Sequence, residues 1–140
     1  MGSLSLATVV DAITWFAVLG AGAAAFKHGL TPDSALAELS PVAKRDGKWS
    51  PEGLWWGGYA FSAMNVGFFV NGVHALVTGD ATAKRGVLLT TSSLFAAFAL
   101  AWATHGELTG KSPQAVRMQT AKVAGFATLF LLGYVGALQL

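Results

Sequence analysis

The chain has 140 residues, of which 54% are hydrophobic and 11% charged, less than half the roughly 25% charge of an ordinary soluble domain. Its formal net charge is +2, it has no cysteine, and no basic run is longer than the pairs Lys44-Arg45 and Lys84-Arg85. These features exclude a soluble globular domain, a disordered chain, a nucleic-acid-binding protein, disulfides, thiolate metal sites and thiol catalysis.

The apolar residues arrive in blocks at 4–26, 54–78, 86–104 and 123–140, which together hold one charged side chain, Asp11. Roughly 20 apolar residues cross a hydrocarbon core about 30 Å thick. The sequence therefore predicts an all-α polytopic integral membrane protein, with residues 1–140 as a single four-helix transmembrane domain.

The first span, about 4–26, reads as a retained helix and not a cleaved signal, because no Lys or Arg precedes it and Asp11 interrupts its apolar run. In the loop that follows, Thr31-Pro32-Asp33 places a hydroxyl N-cap before a proline and opens a short interfacial helix. Leu36 and Leu39 of that helix are expected to face the membrane, and Pro41 to end it. Ser50-Pro51-Glu52 opens the second span, about 54–78. The third runs over about 86–104. Ser112-Pro113-Gln114 opens the fourth, about 113–138, whose first turns carry Arg117 and Lys122 outside the hydrocarbon.

The two long loops hold seven basic residues, against only Lys84 and Arg85 on the other side. By the positive-inside bias the long loops lie on the cytoplasmic or matrix side and both termini opposite. A mitochondrial inner membrane or a bacterial plasma membrane suits this arrangement. Trp49, Trp55, Trp56, Tyr59 and Trp102 mark the long-loop interface. The strings His28-Gly29-Leu30-Thr31 and His105-Gly106-Glu107-Leu108-Thr109 hint at two parallel helical hairpins.

Asp11 is the most informative residue, since an intramembrane carboxyl is costly and marks a functional site by default. Asn71, His74, Thr90 and Tyr134 lie at comparable depth in the other spans and form an expected polar layer with it. That layer reads either as a proton relay or a site for a polar headgroup or quinone, or as a hydrogen-bonded cluster that locks helices together; the second account is favoured. His28 and His105 end their helices on one membrane side, where facing histidines would ligate a haem. The favoured account makes each a helix-terminal residue before a left-handed glycine, Gly29 or Gly106.

Small residues that let backbones approach closely include Gly20, Gly53, Gly57, Gly67, Ala97, Ala101 and Gly133. Phe61, Phe68, Phe69, Phe95, Phe98, Phe126 and Phe130 either line a pigment, sterol or quinone groove or pack and face lipid. Thr90-Thr91-Ser92-Ser93 reads as hydroxyls bonded back to their own helix. No phosphate-binding glycine loop, HExxH or GxSxG is present.

With no catalytic or metal-binding set, the expected function is that of a non-catalytic accessory subunit of a respiratory or photosynthetic membrane complex. Its partners are then membrane lipids, some of them bound, and other membrane subunits. A second reading is a small proton-coupled transporter acting as an oligomer, and a third is a membrane enzyme or a quinone- or lipid-binding membrane protein. Four short spans with one acidic residue in the first resemble the layout of the small multidrug-resistance transporters. Asp11 stands where those proteins use a glutamate, although the loop 29–53 is longer than theirs.

Overall fold

Hydroxyl and carboxylate caps decide where the helices begin. In the computed structural model, which describes residues 5–39 and 48–140, Ser5 Oγ accepts from Thr8 N and starts α1, Leu6–Leu30. The short helix α2 covers Pro32–Leu39. Ser50 Oγ accepts from Gly53 N at the head of α3, Pro51–Thr78. Asp80 Oδ1 accepts from Thr82 N and Ala83 N at the head of α4, Ala81–His105. Ser112 Oγ accepts from Ala115 N at the head of α5, Pro113–Ala137. Each cap satisfies amide groups that a helix terminus leaves without a partner.

The chain is an all-α integral membrane protein with four helices long and apolar enough to span a bilayer. Large apolar side chains such as Leu19, Phe26, Trp56, Val77, Leu100 and Leu132 stay exposed. That is the surface expected where lipid, and not water, is the solvent. Helix α1 packs most extensively on α3, and α4 on α5; α1 with α5 and α3 with α4 close the ring. The result is an up-down four-helix bundle built from two hairpins. The core joins Val10 and Ala17 of α1, Leu88 of α4, and Phe130 and Ala137 of α5.

Several local expectations are corrected. Helix α4 begins at Ala81 and not at 86, because Asp80 caps it and carries Lys84 and Arg85 into its first turns. Thr31 does not cap α2 through its hydroxyl, which donates to Lys27 O at the end of α1. Among the described residues the left-handed glycines are Gly79 and Gly110, whereas Gly29 lies within α1 and Gly106 has right-handed helical backbone. Both of the latter serve close approach instead: a Cβ at Gly29 would meet Ser62, and one at Gly106 would overlap Val116. Leu36 does not face the membrane; it is buried against Gly57. Pro41 and the side chain of Leu39 lie outside the described residues.

Residues Leu54–Ala60 of α3 form a π-helical segment. Its wider turn puts Gly57 and Gly58 against Leu36 and Pro32 of α2, while Trp55, Trp56 and Tyr59 all project outward. Such segments interrupt α-helices rarely and often near functional sites.

The residues that bring helices together are only partly those expected. Gly133 receives Ile13 and Leu88, and Gly72 receives Val18. Gly53 meets only its own cap, Ser50. Gly20 and Gly67 have open space beside them, and Ala97 and Ala101 are exposed on the outer face. Helical spacing identifies a stripe of small residues but not which stripe turns inward. We predict that Gly72→Ala, whose new methyl would collide with the buried Val18, costs about 1–3 kcal/mol. Gly67→Ala should leave stability unchanged or slightly raised. Thermal unfolding in detergent distinguishes them, and equal midpoints would show that α1 and α3 are not in close contact at Gly72.

Candidate functional site

The one intramembrane carboxylate is paired. Asp11, sixth in α1 and so about 8 Å along the helix from its start, accepts a hydrogen bond from Lys84 Nζ at 2.7 Å. The Lys84 side chain is 13% exposed and that of Asp11 44%. Next to it, Arg85 Nε donates to Ala137 O at 2.9 Å, so the cation satisfies a carbonyl at the open end of α5. The head of α4 is thus tied by charge to both α1 and α5. Lys84 was not among the expected partners, because a sequence reading that starts the third span at 86 places it in a loop. The signal that would have found it is Asp80, a cap residue four positions earlier.

The expected polar layer divides. Tyr134 packs against the core on α5. Asn71, His74 and Thr90 come together without Asp11, in a separate groove of about 280 Å³ between α3 and α4 that Phe68, Ala83, Gly86 and Val87 complete. All three polar side chains are exposed. Asn71 Nδ2 donates to Gly67 O of its own helix at 2.9 Å.

The two histidines occupy unlike environments. His28 is buried, and its Nδ1 donates to Gly57 O in the π segment at 2.9 Å, since a carbonyl only accepts. Its ring meets Phe61 edge-on at 4.7 Å. One turn away, Ser62 Oγ donates to Ala25 O at 2.6 Å. These bonds clasp α1 to α3 at the long-loop end, and they leave only Nε2 of His28 uncommitted. His105 is exposed at the end of α4. Among the described residues no three His, Asp or Glu side chains are placed to hold a metal ion.

The central feature is a cavity of about 200 Å³ at the middle of the bundle, walled by all four long helices. Phe16, Phe61, Phe68, Phe95, Phe98, Phe126 and Phe130 line it, with Ala17, Gly20, Ala21 and Ala24 of α1 as a low wall. Ring contacts fix the walls: Phe95 lies 5.5 Å from Phe126 and 5.4 Å from Phe130, and Phe61 lies 6.1 Å from Phe98. Phe69, expected in this set, covers Gly22 instead. Phe16 was missed, although it starts the stripe that Gly20 and Ala24 continue at i+4 spacing.

Two polar residues reach the cavity, Asn65 of α3 and Thr91 of α4. Asn65 is 6% exposed. Its Nδ2 donates to Phe61 O at 2.8 Å, which leaves Oδ1 and a second N–H with capacity to spare. Among the described residues no His, Asp or Glu stands beside Thr91 in this wall. Ser92, expected to bond back to its own helix, donates across to Ala127 O of α5 at 2.9 Å. Among the described residues no charged side chain lines the space.

The sequence matches no protein-family model, no curated protein and no solved structure. The site therefore has to be interpreted from its own geometry.

The Asp11–Lys84 pair makes a direct prediction. Asp11→Asn and Lys84→Met should each lower stability by about 1–3 kcal/mol, less than for a fully buried pair because Asp11 is partly exposed. The double variant should lose clearly less than the two singles combined. Additive losses in detergent unfolding would show that the ion pair contributes nothing.

Proposed function

We propose that the protein is a non-catalytic membrane protein that holds a lipophilic small molecule between its helices. The phenylalanine-lined cavity carries this reading. Helices in lipid gain little from leaving space between them, because van der Waals packing is a main force that associates them. A space of about 200 Å³ at the bundle centre, apolar with two uncharged polar groups, has the character of a ligand pocket. Its walls offer a neutral apolar molecule ring faces and edges, and nothing that would stabilise an ion.

A second reading, an accessory subunit of a larger membrane assembly, is favoured by a different observation. Asn71, His74 and Thr90 are exposed in a groove on the outside of the bundle. Polar side chains that face lipid are costly unless something pairs with them, and a helix of a neighbouring subunit is suited to do so. In this arrangement the long loops face the cytoplasm or matrix and both termini the opposite side. The transporter reading draws on Asp11, which is paired with Lys84.

Gly20 provides the test. It lines the cavity, and a Cβ added there meets nothing within 4 Å, so the larger side chain of Gly20→Leu narrows the space with no clash at its Cβ. Protein extracted gently from its own membrane should carry a stoichiometric lipophilic compound, identified by mass spectrometry. The variant should retain roughly tenfold less of it at unchanged thermal stability. A wild-type protein that carries nothing beyond bulk lipid, or a variant that carries the same compound in the same amount, would overturn the ligand reading.

A further inference from the structure

We infer that the cavity takes a single oxygen-bearing six-membered ring on an apolar tail, a benzoquinone; this rests on the ligand reading above and narrows it. Size makes the first selection. An engineered cavity of about 150 Å³ accommodates benzene, and about 200 Å³ adds room for ring substituents. Four fused rings or a porphyrin need several times the space of one ring, so a sterol or haem does not fit inside.

Chemistry makes the second selection. The walls are phenyl rings in tilted and edge-on arrangements, and their negative faces favour a flat, electron-poor ring. Asn65 and Thr91 enter from two different helices. Asn65 retains an N–H beyond the one bonded to Phe61 O, and the Thr91 hydroxyl also donates. Together they suit a ring that carries oxygen acceptors and no charge. An acyl chain would offer no partner to the spare N–H of buried Asn65 or to the Thr91 hydroxyl, a cost of about 1–3 kcal/mol for the buried group.

The tail has a way out. Gly20 is exposed and stands beside open space, and Ala21 and Ala24 follow on the same face. At this point α1 presents no side chain large enough to close the wall. A ring held by Asn65 can therefore extend its tail past Gly20 into the lipid.

The test uses the full-length protein in detergent with three probes: 2-decyl-1,4-benzoquinone, decylbenzene and cholesterol. Binding is read by equilibrium dialysis. The decylbenzoquinone should bind saturably at one per chain, decylbenzene about tenfold more weakly, and cholesterol without saturation. Asn65→Leu should reduce the quinone to the affinity of decylbenzene and leave decylbenzene unchanged. Thr91→Val, nearly isosteric and on another helix, should weaken the quinone alone and keeps the test open if the Asn65 variant fails to fold. Equal affinities for the quinone and decylbenzene, or neither variant discriminating between them, would overturn the ring-oxygen inference while leaving the ligand reading intact. Saturable cholesterol binding that displaces the quinone would overturn the choice of ligand class. No saturable binding of any probe, together with no co-purifying compound, would overturn both.

Discussion

Val18 of α1 sits in the hollow left by Gly72 of α3, and Ile13 of α1 in the hollow left by Gly133 of α5. Close approach of this kind governs the bundle, because lipid removes most of the hydrophobic drive between helices and leaves packing and hydrogen bonds to associate them. Where a glycine meets a branched side chain the helices touch. Phe95 of α4 meets Phe126 and Phe130 of α5 between the two helices that pack most extensively, and the same rings line the central space. The cavity lies between glycine contacts toward the two ends of the bundle, Gly133 with Ile13 at one and Gly57 with Leu36 at the other, and aromatic rings line it.

The polar groups divide by whether that packing uses them. Lys84 with Asp11, Arg85 with the end of α5, His28 with Gly57, Ser62 with Ala25 and Ser92 with Ala127 each bond one helix to another. The Asp11–Lys84 pair joins the two hairpins, the α1–α3 bonds lie at the long-loop end, and the α4–α5 bonds lie at the terminal-side end and near the middle. In an apolar solvent these bonds contribute about 1 kcal/mol each, and less than the bare absence of water would suggest. Among the described polar residues that make no bond between helices, Asn65 and Thr91 line the central cavity, and Asn71, His74 and Thr90 the outer groove. Polar groups that do not hold the fold together are the ones available for something else, which is why both functional readings start from them.

The environment of His28 illustrates how a local pattern can be right about a helix end and silent about its purpose. His28 and His105 occupy similar strings, each followed by glycine. One is buried against a π-helical turn and the other is exposed. The difference comes from α2, which folds back so that Pro32 and Leu36 press on Gly58 and Gly57. The wide turn at Leu54–Ala60 then presents the Gly57 carbonyl to His28. Nothing equivalent follows His105, where a 3-10 turn, Gly106–Thr109, leads to α5.

The amino-acid sequence alone determined the solvent, the number of spans and most of their starting points. Those properties are local: a block of about 20 apolar residues or a serine before a proline carries its meaning without reference to the rest of the chain. Much of the cavity wall was legible in the same way, since six of its phenylalanines stood out as a set. Only the tertiary structure decided which of several small-residue stripes turned inward and that Asp11 met Lys84. It also split the expected polar layer and brought Phe16, Asn65 and Thr91 into one space. The reason is rotational: in a membrane helix apolar on every face, no amphipathic contrast marks the inner side. The facing direction is set by which partners can come close, and that is a property of pairs of helices and not of any one segment.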